Sequence, residues 1–326
     1  MPAGSSLAIW PARANAQPEI AVDARPIRRV LCPIDFSDFS RHALDHAVAI
    51  ARQREARVTA LHVFVLAVEG ALFTGSAGFQ TFSLSEANRQ ALHARVNDFV
   101  VSEGGDPSAV DIEVRESPDV AGQILLEATA LQSDLLVMGT HGRSGFDRLL
   151  LGSVTEKTLR KAPCPVLTIP RRVADAVPFG TAPYRRILCG VDFSDSSRAA
   201  VALAADFARR GAEWLGLAHV IELSPAFYDG SGEQVLAMLR TDLEADANAR
   251  FTALLPGVSS GATCRTEPIV TTGKPYEELL RIAAERQADL IVLGVQGRGV
   301  LDRVLFGSTA YHVVRQAACP VLTLRA

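Results

Sequence analysis

Short apolar runs alternate with stretches of helical periodicity along most of the chain. Residues 30–34 form an apolar run that reads as a buried strand. Ser37 or Asp38 stands where a helix cap is needed. Leu44, Ala47, Val48 and Ala51 then recur on one helical face. A second strand is expected at 58–65, then a glycine-containing loop and a helix from about 85 to 101. A strand at 110–114, a helix at 119–131, a strand at 135–138, a helix at 153–161 and a last strand at 166–169 complete the unit. Strands alternating with helices imply a parallel, doubly wound sheet with its ligand crevice beyond the carboxyl ends of the strands.

The pattern then repeats. Arg29-Val-Leu-Cys-Pro-Ile-Asp-Phe-Ser37 matches Arg186-Ile-Leu-Cys-Gly-Val-Asp-Phe-Ser194, at an offset of 157. Ala60-Leu-His-Val63 matches Leu217-Ala-His-Val220 at the same offset. Asp134–Gly139 matches Asp289–Gly294, and Cys164–Thr168 matches Cys319–Thr323, both at 155. Four blocks in one order indicate duplication. The expected organisation is a disordered tail at 1–26, a first domain at 27–170, a linker at 171–184 and a second domain at 185–326. The fold class is α/β, with two tandem five-stranded, mainly parallel sheets flanked by helices. In the second copy, Val201, Ala204, Ala205 and Ala208 repeat the first helix's apolar face.

Composition narrows the function classes. The net charge of −3 offers no basic field for nucleic acid. No apolar run reaches the roughly 18 residues that span a bilayer. The Ala-Asn-Ala near the N-terminus follows an apolar stretch too short for a signal peptide. Five cysteines without a CxxC pair argue against a disulfide framework or zinc site. A reducing, cytoplasmic setting is the expectation. His62 and His219 share a repeat position and read as buried structural histidines. Cys164-Pro165 and Cys319-Pro320 read as strand-entry punctuation.

The chemistry is concentrated after the fourth strand of each copy. Gly139, Gly142, Gly152 and Ser153, and again Gly294, Gly297, Gly307 and Ser308, follow G-x2-G-x9-G-S. Glycine turns expose successive N–H groups that suit anions, and a helix starting at the serine adds free amides and a positive dipole end. Arg143, Arg148, Arg298 and Arg303 are candidate charges. Asp147 and Asp302 read as ion-pair partners of these arginines, with magnesium as the other reading. A P-loop lysine motif is absent, and so is G-x-G-x-x-G at the first turn.

At these residues the chain resembles tandem universal stress proteins of the nucleotide-binding type, over about 27–170 and 185–326. The resemblance implies adenine-nucleotide binding: ATP, or AMP or ADP, with magnesium as the accompanying ion. It implies that Asp35 and Asp192, the first beside Pro33, hold the ribose. Val63 and Val220 would meet the adenine through their backbone. Met138 and Gly139, and Leu293 and Gly294, would hold the nucleoside. The phosphates would lie on Gly142, Gly152, Ser153, Val154 and Thr155, and in the second copy on Gly297, Gly307, Ser308 and Thr309. His141 matches a histidine common in the family's loop. The second copy departs from the first at Gly190 for Pro33, Gln296 for His141 and Ala310 for Thr155, so the first copy is the expected site for a full triphosphate. The resemblance further implies pairing of the two last strands into an intrachain pseudo-dimer, with a homodimer as an additional expectation. The implied role is a stress-response regulator with little or no turnover. A slow ATPase or phosphoryl-transfer enzyme, and a scaffold with vestigial sites, remain the alternatives.

Overall fold

The computed structural model describes residues 25–65, 85–101, 110–141, 151–170, 184–223, 233–259, 264–295 and 306–325. The first repeat runs β1 (Arg29–Pro33), α1 (Asp38–Arg54), β2 (Arg57–Phe64), α2 (Glu86–Val101), β3 (Val110–Glu116), α3 (Val120–Ala130), β4 (Leu135–Gly139), α4 (Ser153–Lys161) and β5 (Val166–Ile169). The second runs β6 (Arg186–Gly190), α5 (Asp195–Ala208), β7 (Trp214–Ile221), α6 (Glu233–Ser259), β8 (Arg265–Thr272), α7 (Pro275–Glu285), β9 (Leu290–Gly294), α8 (Ser308–Gln316) and β10 (Val321–Leu324). Most of the tail, the glycine loops between β4 and α4 and between β9 and α8, and residues 171–183 lie outside the described residues.

The central strands are apolar on both faces because helices cover both sides. Leu135, Leu136 and Val137 of β4, and Leu290, Ile291 and Val292 of β9, have no exposed surface. Within each repeat the strands are parallel, ordered β3-β2-β1-β4-β5 and β8-β7-β6-β9-β10. The switch point therefore falls between β1 and β4, and between β6 and β9. Helices α1 and α5 each begin at a serine cap: Ser37 accepts from the Ser40 amide, and Ser194 from the Ser197 amide.

The expected pairing of the two last strands, 166–169 with 321–324, is present and joins the two sheets into one. β5 and β10 pair antiparallel, placing Thr168 opposite Val321 and Val166 opposite Thr323, which closes a ten-stranded sheet. The seam is buried and its hydroxyls are satisfied across it. Thr168 Oγ1 donates to the Val321 carbonyl at 3.1 Å, and Thr323 Oγ1 donates to the Val166 carbonyl at 3.3 Å.

This union changes the buried face of α1. Val48 is only half-buried, whereas His46 and Ile50 are buried together with Leu44, Ala47 and Ala51. Helix α1 meets the sheet on one side and α5 on the other, so the second repeat covers a stripe that local periodicity leaves polar. The buried Arg54 pairs with Asp206, and Gln53 Nε2 donates to the Arg210 carbonyl at 2.6 Å. Tyr184, the last residue of the expected linker, is 2% exposed and belongs to the same core.

Candidate functional site

Above β1 the chain makes a strained turn that both repeats keep. Phe36 and Phe193 have φ of 64° and 61°, the left-handed region that non-glycine residues avoid. Such strain persists only where the surroundings enforce it. The aspartate before each phenylalanine does so from one side. Asp35 accepts from the Ser37 amide at 3.1 Å and from its hydroxyl, and Asp192 holds Ser194 in the same way. The ring is held from the other side by histidine, with centroids 4.6 Å apart for Phe36–His62 and 4.9 Å for Phe193–His219. Each histidine also bonds through Nδ1 to the chain above its strand, His62 to the Ile34 carbonyl at 2.9 Å and His219 to that of Val191 at 2.7 Å. Both rings are half-buried, and their role is to fix the turn. The repeated Asp-Phe-Ser tripeptide carries this signal in the sequence, where the aspartate reads as a ribose ligand and the serine as a helix cap, and the phenylalanine carries no local signal.

The turn opens onto a cavity of about 430 Å³ in the first repeat. Pro33, Asp35, Val63, Met138, Gly139, His141, Gly152, Ser153, Val154 and Thr155 all line it, as do Leu61, Val120 and Ile124. Its volume lies in the range of small-molecule sites, roughly 300–1,000 Å³. Gly142 and Gly297, the loop arginines, Asp147, Asp302 and Gln296 lie outside the described residues.

Strand lengths give Val63 its place. β1 ends at Pro33, opposite Leu61, and the Ile34 amide donates to the Leu61 carbonyl at 2.8 Å. Alternate residues of a strand direct their backbone groups to the same side. Val63 therefore faces the gap above β1, where no described strand pairs with it. Phe64, the true end of the strand, turns to the other side and accepts from the Ser117 amide at 3.0 Å. The equivalent logic places Val220 above β6, since the Val191 amide donates to the Ala218 carbonyl at 2.8 Å.

The opposite wall is the start of α4. Gly152 is its N-cap and makes no side-chain cap, and the Gly152 amide donates to the Thr140 carbonyl at 2.9 Å. The amides of the next residues, Ser153, Val154 and Thr155, belong to the first helical turn and have no carbonyl one turn back to receive them. Thr155 departs from expectation. It is buried, and its hydroxyl donates to the Gly139 carbonyl at 2.9 Å. Its proton ties the helix to the end of β4 instead of standing free for a ligand. His141 is held through Nδ1 by Thr140 Oγ1 at 3.0 Å, while its Nε2 is buried with no hydrogen-bond partner among the described residues.

The second crevice has the same frame and a different filling. Gly190 replaces Pro33, and a Cβ built there would lie 2.5 Å from Leu293 Cδ2 and 3.3 Å from Leu279 Cδ1. Leu293 and Leu279, both nearly fully buried, thus occupy the room that a side chain at 190 would need. Gly307 caps α8 without a side chain, and the exposed Ser308 and half-buried Thr309 follow it. A Cβ at Gly307 would lie 2.8 Å from the Val295 carbonyl oxygen, against 3.3 Å for the nearest atom at Gly152. Beneath the two crevices, burial pushes the thiols of Cys32 and Cys189 well above the usual range, which keeps them protonated and unreactive. Among the described residues no group of three or more His, Cys, Asp or Glu is arranged to hold a metal, and no helix is long and apolar enough to cross a membrane.

Comparison with known proteins agrees with this architecture. A universal stress protein of Methanocaldococcus jannaschii is 34% identical over 144 residues, 44% of this chain and 81% of that one. One from Mycobacterium tuberculosis is 30% identical over 200 residues, 60% of this chain and 62% of its own length. Another from that organism is 25% identical over 313 residues, 91% of this chain and 94% of that one. The crystal structure of a universal stress protein from Archaeoglobus fulgidus shares the fold, with a TM-score of 0.58 at 20% identity over 91% of this chain and 98% of that one. The universal stress protein family model matches residues 26–170 and again 183–325, and this chain belongs to the universal stress protein family.

Proposed function

We propose that the first repeat binds an adenine nucleotide, and that the chain acts as a nucleotide-responsive regulator and not through turnover. One observation carries the reading. An apolar slot, a ribose-height carboxylate and an uncapped helix N-terminus converge on a single cavity of about 430 Å³. Pro33, Leu61, Ile124 and Met138 make a slot suited to a flat base. The outward backbone of Val63 offers the base edge a donor and an acceptor. Asp35 and Gly139 stand where a ribose would follow. The first-turn amides of α4, with the dipole behind them, suit phosphate oxygens, and His141 Nε2 lacks a described partner. Magnesium would neutralise phosphate charge. The side chains gathered here bind and orient.

Mass spectrometry of nucleotide released from purified protein, with calorimetry of ATP with and without magnesium, tests this. ATP, ADP or AMP should be released, and Gly152→Val should weaken ATP binding by about a hundredfold or more, because a branched side chain blocks the approach to the amides. The Gly307→Val variant should retain the tighter site. No released nucleotide and no binding heat would overturn the reading.

A further inference from the structure

His141 holds one nitrogen of its ring without a described partner at the crevice of the first repeat. The ring is half-buried and lines the cavity. Its Nδ1 lies 3.0 Å from the hydroxyl of Thr140, a buried residue at the end of β4. Nε2, at the far end of the ring, is buried and has no hydrogen-bond partner among the described residues. A buried polar atom left unpaired is costly, and a ligand that pairs it recovers that cost.

Thr140 lets the ring carry either one hydrogen or two. Its hydroxyl has a single proton. That proton can go to His141 Nδ1, or turn to the Ile169 carbonyl at 3.4 Å while the oxygen accepts from Nδ1–H. In the first arrangement a neutral ring offers Nε2–H to the cavity. In the second, protonation of Nε2 makes an imidazolium that donates from both nitrogens. An anion in the cavity favours the second. An opposite charge within about 4–6 Å stabilises the charged form, and a charge-assisted hydrogen bond is roughly twice as strong as a neutral one. From α1 the Phe39 ring faces His141, with centroids 5.8 Å apart, and at the start of α4 the Gly152 backbone approaches its Cα. Neither is charged. The other titratable groups of the described lining are Asp35, held by Ser37, and His62, held by the Ile34 carbonyl. Arg143 and Arg148 of the glycine loop lie outside the described residues.

We propose that nucleotide binding in the first repeat is coupled to proton uptake from solvent by the His141 imidazole, with Nε2–H donating to a phosphate oxygen. The coupling makes the first crevice a pH-responsive site. Its affinity for the nucleotide rises as pH falls, because the bound state carries the extra proton. Histidine is the side chain whose ordinary charge change lies between pH 5 and 8. The second repeat has Gln296 at this position, and an amide takes up no proton. The inference rests on the nucleotide reading above.

Calorimetry of magnesium–ATP binding to the full chain near pH 7.5, in buffers of different ionisation enthalpy, counts the protons taken up. About half a proton or more per ATP should enter the complex, and none with adenosine, which has no phosphate. The ATP affinity should be about threefold to tenfold higher at pH 7 than at pH 8. His141→Gln, which copies the second repeat, should bind ATP more weakly, without uptake and without that pH dependence. Nitrogen NMR of the wild-type chain labelled with 15N-histidine gives a readout that does not depend on the variant folding: one ring should carry hydrogen on both nitrogens only when ATP is present. An absence of binding heat would overturn the nucleotide reading and this one with it. ATP binding with smaller uptake, uptake with adenosine, uptake that survives His141→Gln, or no ring that gains a hydrogen with ATP would overturn this proposal alone.

Discussion

In the first repeat Pro33, Ile124 and Met138 stand around a crevice, while Gly190, Leu279 and Leu293 hold the same three positions in the second, where the two leucines fill the room that a side chain at 190 would take. On the seam the balance reverses. The first repeat's His46 joins Tyr184 in a filled core, and the second repeat's Leu203 faces a cavity with Ile27. Duplication has kept the backbone and the strained Asp-Phe-Ser turns, and the two halves have diverged in what fills the spaces between elements. The two halves therefore differ in side-chain volume over a shared frame.

The largest expected effect breaks the asymmetric weld between α1 and α5. Arg54 is met by Asp206, but the equivalent positions carry Gly211 and Ala49, so this ion pair has no mate. Asp206→Ala should cost about 3–5 kcal/mol, because it strands a buried guanidinium. Adding Arg54→Met should restore most of the loss. Urea unfolding reads both, and a loss under about 1 kcal/mol for the single variant would show that the seam does not depend on this pair.

The plugged side of the seam should report on pH. Burial, and then the neighbouring His42, lower the His46 pKa to about 4 from an ordinary 6.5. The folded chain keeps this imidazole neutral, while the unfolded chain protonates it. Stability should therefore be full above about pH 6.5 and fall as pH drops toward 4, by roughly 3 kcal/mol in all. His46→Leu, which copies the open side, should flatten that limb of the profile. An unchanged slope would assign the pH dependence elsewhere.

The glycine before each of α4 and α8 sharpens the comparison of the crevices. Gly307→Ala pushes a Cβ against the Val295 carbonyl and should cost about 1–3 kcal/mol, measured by thermal melting. Gly152→Ala, with its nearest neighbour at 3.3 Å, should cost less. Equal losses would mean that the two helix starts are equally crowded. The smallest effect is expected from Thr155→Val, which removes the tie to Gly139 for about 1 kcal/mol. Since Ala310 dispenses with that bond, ATP affinity should change only a few-fold. A hundredfold loss would return the hydroxyl to the phosphate.

The strand and helix pattern was legible because each element carries its own signal: all-apolar runs for β4 and β9, serine caps for α1 and α5, and glycine before α4 and α8. The site was legible where chemistry sits on such signals, at Asp35, Gly139 and Gly152. Other parts depend on neighbours distant in sequence. The turn-fixing role of Phe36 and His62 needs β1 beside β2. The Thr155 hydroxyl is tied to the Gly139 carbonyl, 16 residues earlier in the chain, which no local pattern encodes. The burial of His46 comes with Tyr184, 138 residues away in the chain.

The sequence by itself determined the duplication, the parallel α/β class, the order of the elements and the residues that gather at the crevice, because local periodicity and repeated motifs encode them. Tertiary structure decided the register in which the expected pairing of β5 with β10 joins the two sheets, that Leu279 and Leu293 fill the room beside Gly190, and that Tyr184 fills one side of the seam while a cavity remains on the other. Those outcomes turn on packing between residues far apart in the chain, where complementarity of volume and polarity acts only once the elements have met.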